Sequence, residues 1–126
     1  MKIVPAMLLL LAACGCASLT VAHNFHGVEV EGDEIPLETV MIENTGWKLF
    51  KFIPIGSGNP DRPGKCSFRL FEDTTTLQNN LDMLAREMES VGATRIVNLS
   101  SKTIDESVFI VLFTRTVCRT SAVLLK

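Results

Sequence analysis

Four cysteines and two histidines are the side chains in this sequence best suited to chemistry: Cys14, Cys16, Cys66, Cys118, His23 and His26. A cysteine thiolate is a nucleophile, a metal ligand and a disulfide partner, and it surpasses serine in each role. His23 and His26, three apart in "HNFH", can share one helical face. No cysteine or carboxylate stands beside them at a ligand spacing, and two ligands make a poor metal site. Neither a metal nor a cofactor is expected. Acyl-transfer chemistry needs a histidine base near a serine; both histidines fall near the start of the domain, and no glycine-flanked nucleophile elbow appears. Gly56, Ser57, Gly58 and Asn59 form a small-residue stretch whose backbone amides can cradle an anion. It lacks the Gly-Lys-Ser/Thr ending of a phosphate loop, and the competing reading is a surface turn. Glu72 and Asp73 precede a predicted helix, where negative charge suits the positive end of the dipole. Trp47, Phe50 and Phe52 can line a groove, although aromatic residues on strands usually enter the core. No catalytic residue emerges, and the chain is not expected to be an enzyme.

What the cysteines do depends on the compartment, which the amino terminus decides. Lys2 is followed by an apolar run from Ile3 to Ala13, shorter than the roughly 20 residues a spanning helix needs. A charged start, a short apolar run and small residues at its end read as a secretory signal peptide. Leu11-Ala12-Ala13-Cys14 resembles the lipobox of bacterial lipoproteins. The resemblance implies a diacylglycerol on the Cys14 sulfur, cleavage before that residue and acylation of the new amine. Residues 1–13 are then a signal peptide, 14–27 a lipid-anchored tether and 28–126 a single globular domain. Several acyl chains hold a protein in a bilayer where one binds only reversibly. Gly15 in place of aspartate inclines the reading to the outer membrane, facing the periplasm. Two other readings compete: an ordinary signal peptide cut after Ala22 in Thr20-Val21-Ala22, and an apolar helix inside a cytosolic core.

An exported domain meets an oxidising compartment in which disulfides persist. With Cys14 occupied by lipid, Cys66 and Cys118 are expected to pair, one after the glycine-rich loop and one at the end of a long strand. Cys16 is left over, as a free thiol or a link to a second chain.

Those side chains must be held by elements the patterning also suggests. Val28-Glu29-Val30-Glu31 alternates as a strand does, with a turn at Gly32-Asp33. Residues 39 to 55 read as two strands meeting at a tight turn over Asn44-Thr45-Gly46, with Gly46 at positive φ. Residues 56 to 65, rich in glycine and proline, read as an exposed loop, and 67 to 71 as a short strand. Leu77, Leu81, Leu84, Met88 and Val91 step by four and three, which predicts a helix from about Thr76 to Val91. Thr75 with Gln78 fits a capping box and Gly92 a left-handed stop. Asp82 and Arg86 lie four apart on the exposed side. Residues 94 to 99 read as a strand, 100 to 106 as a polar connection, and 107 to 117 as the longest and most central strand. The whole predicts an α+β fold: an antiparallel or mixed sheet of about four to six strands with one long helix on one face.

Twelve basic and fourteen acidic side chains give a formal charge of −2, without the basic footprint that nucleic-acid binding uses. "GWKLFKFIPIGSGNP", "GATRIVNLSS" and "TSAVLLK" resemble segments of small bacterial envelope lipoproteins of unknown function. The resemblance spans most of the chain after the leader and implies an envelope setting but no mechanism. The expected function is a membrane-anchored, non-catalytic interaction or structural module. Its partners would be the membrane, through the lipid, and an envelope protein or cell-wall component. Oligomers could form through Cys16 or an uncovered sheet face. The alternative is a periplasmic sensor of a small ligand or metal.

Overall fold

The structure is a computed structural model, and it describes residues 16–25, 27–65, 67–108 and 112–126. The described residues form six strands and one helix: β1 (Ala17–Ala22), β2 (Pro36–Leu49), β3 (Ile53–Gly58), β4 (Phe68–Leu70), α1 (Leu77–Val91), β5 (Arg95–Val108) and β6 (Phe113–Leu125). The strands make one antiparallel sheet in the order β4-β3-β2-β6-β5, with β1 also paired to β2. The fold is a sheet-rich α+β fold, as the sequence suggested.

β2 and β6 are its spine, paired from Pro36↔Leu125 to Leu49↔Phe113. Alternate positions define the core side, although Val117, Val123 and Leu125 on the other side of β6 are buried as well. Val40, Ile42 and Asn44 of β2 and Cys118, Thr120, Ala122 and Leu124 of β6 share one side and are buried. Successive strand residues point to opposite faces, so a buried set at every second position marks the side that gains the core. That core joins Ala17, Val40, Ile42, Ala122 and Leu124 to Met83 and Leu84 of α1, with Leu19, Leu81, Met88, Val91 and Ile96 packed against it.

α1 begins one residue later than the predicted box. Thr76 is the N-cap, its hydroxyl accepting from the Asn79 amide at 3.3 Å. It ends at Gly92, which takes the left-handed conformation (φ 69°), while the Ala93 amide reaches back to the Met88 carbonyl. The buried positions are Asn80, Met83 and Leu84, and Leu77 is half exposed. Leu81, Leu84, Met88 and Val91 of the predicted stripe face the core and Leu77 does not; Asn80 turns inward as well, donating to the Cys118 carbonyl and the Thr120 hydroxyl.

Four local expectations are corrected. Residues 28–31 are not a strand; Ile35, beyond them, pairs instead with Lys126 through both backbone groups. β2 runs straight through Asn44-Thr45-Gly46, and Gly46 stands there for space. A Cβ at Gly46 would lie 2.8 Å from Thr75 Cγ2 and 3.0 Å from Ser57 Cβ. The turn comes later, at Phe50 and Lys51, both with positive φ. The polar stretch 100–106 is the middle of β5, an edge strand whose polar side chains meet solvent, with Asn98 at positive φ in its bulge. The apolar run read as a central strand is where β5 turns back into β6, Val108 facing Phe113; residues 109–111 lie outside the described residues.

Candidate functional site

Gly56, Ser57 and Gly58 belong to β3 and are buried, so only Asn59 of the proposed ligand loop lies beyond a strand. Their polar atoms serve the chain itself. Ser57 Oγ donates to the Glu72 carbonyl at 2.7 Å and accepts from the Thr74 amide. The Thr74 hydroxyl donates to the Gly58 carbonyl, and Asn44 Nδ2 donates to the Thr74 carbonyl. Asn59 Oδ1 accepts from the Asp61 amide and its Nδ2 donates to Ser67 Oγ. This network straps the segment before α1 onto the sheet. Gly58 is also a crossing point: a Cβ there would overlap the Ala17 nitrogen and the Cys16 carbonyl carbon, where β1 begins.

Glu72 and Asp73 do not serve the helix dipole as expected. Glu72 pairs with Arg69, and Asp73 holds Lys48 at 2.7 Å and accepts from the Thr75 amide and hydroxyl. Partial burial pushes the Asp73 carboxyl up, but the bonds from Lys48 and Thr75 outweigh it and hold the group below its ordinary value. Arg86 does not form the expected helical ion pair with Asp82 either. It reaches the Asp61 carboxylate and the Pro60 carbonyl, tying the proline-rich loop to α1.

Cys14, Cys66 and His26 lie outside the described residues. Cys16 is exposed and free. Cys118 does not mark a sheet edge. It sits fully buried within β6, between Asn44 of β2 and Thr103 of β5. It has no disulfide partner among the described residues, and Cys66, with which it is expected to pair, lies outside them. Among the described residues no three of His, Cys, Asp or Glu group around a metal-sized space.

Two surface features remain. A cleft of about 180 Å³ lies between Leu19 of β1, Pro60, Asp61 and Pro63 of the loop, and Met83, Arg86 and Glu87 of α1. Small-molecule pockets usually offer about 300–1,000 Å³. Beside it, Glu38 is 7% exposed. Burial raises its carboxyl above the ordinary value, the Glu87 carboxyl adds to this by hydrogen bonding and by charge, and His23 opposes it. Glu38 therefore holds its proton more readily than an exposed glutamate does.

The second feature is the sheet end where β2 turns into β3. Phe52 is 73% and Phe71 76% exposed there, with Phe50, Ile53, Leu70 and Val108 also open to solvent. The register gathers them: Leu49 faces both Ile53 and Phe113, Phe113 faces Val108, and the Phe71 amide bonds the Ile55 carbonyl. Phe50 has φ of 51°, and its amide donates to the Leu112 carbonyl. A bulky residue at positive φ is strained, and such strain collects at working surfaces. The expectation that Phe50 and Phe52 enter the core is overturned, while Trp47 is half-buried. The signal was present in "WKLFKFIPI": the apolar alternation slips at Leu49-Phe50 and again at Phe52-Ile53, which brackets the turn.

Comparison of the chain with models of protein families, with curated proteins and with solved structures gave no match.

Proposed function

We propose that this chain is a lipid-anchored lipoprotein of the bacterial envelope, acting without catalysis as an interaction or structural module. The observation that carries this reading is the position of β1. Cleavage after Ala22, as an ordinary signal peptide would require, removes all of Ala17–Ala22. It would take Ala17 and Leu19 from the core and leave the β2 edge from Thr39 to Asn44 unpaired. Cleavage before Cys14 spares the strand. The lipobox reading keeps the fold whole. No described helix is long and apolar enough to cross a membrane, so the lipid would be the attachment.

In this reading α1 covers one face of the sheet and the opposite face is offered to a partner. That second face carries Met41, exposed, and the ion pairs Arg119–Glu43 and Arg115–Glu106. A mixed polar and apolar surface suits a protein or a cell-wall polymer better than nucleic acid. Cys14→Ser is expected to abolish fatty-acid labelling and to leave unprocessed precursor in the membrane fraction. A mature protein that begins at His23 and bears no lipid would overturn the proposal.

A further inference from the structure

The two ends of the sheet differ in chemistry. At the start of β2 the preceding segment carries Glu29, Glu31, Asp33 and Glu34. At the other end stand the exposed side chains of Phe50, Phe52 and Phe71, with Lys51 at the turn. The chain before β1 leads towards the second end. β1 is antiparallel to β2, so the backbone traced from Ala22 back to Cys16 runs the way β2 runs, towards Phe50. At Cys16 it is still fastened, the Thr45 amide donating to the Cys16 carbonyl at 2.8 Å. Five strand residues, roughly 17 Å at ~3.3 Å each, separate Thr45 from Phe50. Cys14 lies two residues before Cys16 and reaches at most about 7 Å from it.

A lipid on Cys14 therefore leaves the domain no slack. Its body must rest against the headgroups, and the end lying in the direction of the anchor is the apolar one. We propose that the Phe50–Phe52 turn and Phe71 insert into the interfacial layer of the bilayer that holds the Cys14 lipid, so that the domain stands end-on. The acidic segment before β2 then points away from an anionic surface. Apolar side chains gain by leaving water there, and a lysine beside them keeps its ammonium among the headgroups. This orientation rests on the anchor reading of the preceding section.

The test places the chain's single tryptophan as a reporter. In a Trp47→Phe background, Phe52→Trp marks the apolar end and Ile35→Trp the acidic end; both Phe52 and Ile35 are exposed. The full chain is purified from membranes and reconstituted in phosphatidylethanolamine and phosphatidylglycerol vesicles with acyl chains brominated near the glycerol. The tryptophan at 52 is expected to lose most of its fluorescence to bromine and to emit further to the blue, while that at 35 stays open to acrylamide. Equal bromine quenching of the two overturns the insertion. So does a tryptophan at 52 shielded from acrylamide without bromine quenching, which would place a second copy or another protein on this end. Mass measurement of the same preparation separates the two claims. An acylated protein with an unquenched tip removes the insertion alone; an unacylated one removes the anchor and the orientation together.

Discussion

Glu38 couples the state of the fold to pH, because its side chain is buried beside Glu87 with Oε1 lacking a partner among the described residues. Its carboxyl is raised by burial first and by Glu87 second. The folded chain therefore keeps a proton that the unfolded chain gives up. The stabilisation is complete below the ordinary value of 4.5 and is lost as pH rises through the raised value. Glu38→Gln, which carries its hydrogen-bonding capacity without ionising, is expected to gain on the order of 1 kcal/mol at neutral pH. Urea midpoints from pH 4.5 to 8 should then flatten for the variant; parallel curves for variant and parent would count against the pair. The cysteines give a second test at this scale. Brief alkylation of the native protein should label Cys16 and spare Cys118, whose thiol is sealed in β6, until denaturant is added. Labelling of both at one rate would show that the sheet opens locally. Neither behaviour was legible in the sequence. Glu38 looks like any surface carboxylate until the β2 register turns it inward.

Whole elements were easier to foresee than their edges. The helix announced itself through its spacing and through Gly92, and four of its five stripe residues face the core; Leu77 does not, and an apolar stripe cannot reveal that Asn80 has backbone to satisfy on β6. The two leucines make the correction measurable. Leu84→Ala should cost about 2–5 kcal/mol as a core truncation, and Leu77→Ala, at an exposed position, should stay within about 0.5 kcal/mol. Comparable losses would mean that Leu77 packs inward as well. β5 and β6 were misread for a physical reason: apolar density suggested a central strand over residues 107–117, whereas a hairpin reverses there and the polar Ser100–Glu106 stretch is edge strand. β1 depends on a glycine. Gly58→Ala would press a methyl into the Cys16–Ala17 backbone, which cannot swing aside as a side chain can. A loss of about 1–3 kcal/mol is expected from such overpacking, together with faster amide exchange in β1 than in β6. A neutral Gly58→Ala would mean that β1 contributes little.

At the scale of the molecule, the class of fold was readable because periods of two and of 3.6 survive in the sequence, while the strand order was not, because pairing joins residues far apart in the chain. Most of the candidate surface was likewise hidden: the phenylalanines were visible as residues, but only the meeting of three chain reversals at one end shows them exposed together. The strand order also bears on how the protein is made. β6, the spine of the sheet, is the last strand in the sequence, and it pairs along its whole length with β2, which begins at Pro36. Neither β2 nor β5 has its main partner until β6 has left the ribosome, so the sheet cannot be completed until late in synthesis. Such non-local pairing folds slowly, in roughly milliseconds to seconds. For an exported chain, as proposed above, a sheet that cannot close early would leave the protein open for passage through a narrow translocation pore, without a chaperone having to undo a finished domain.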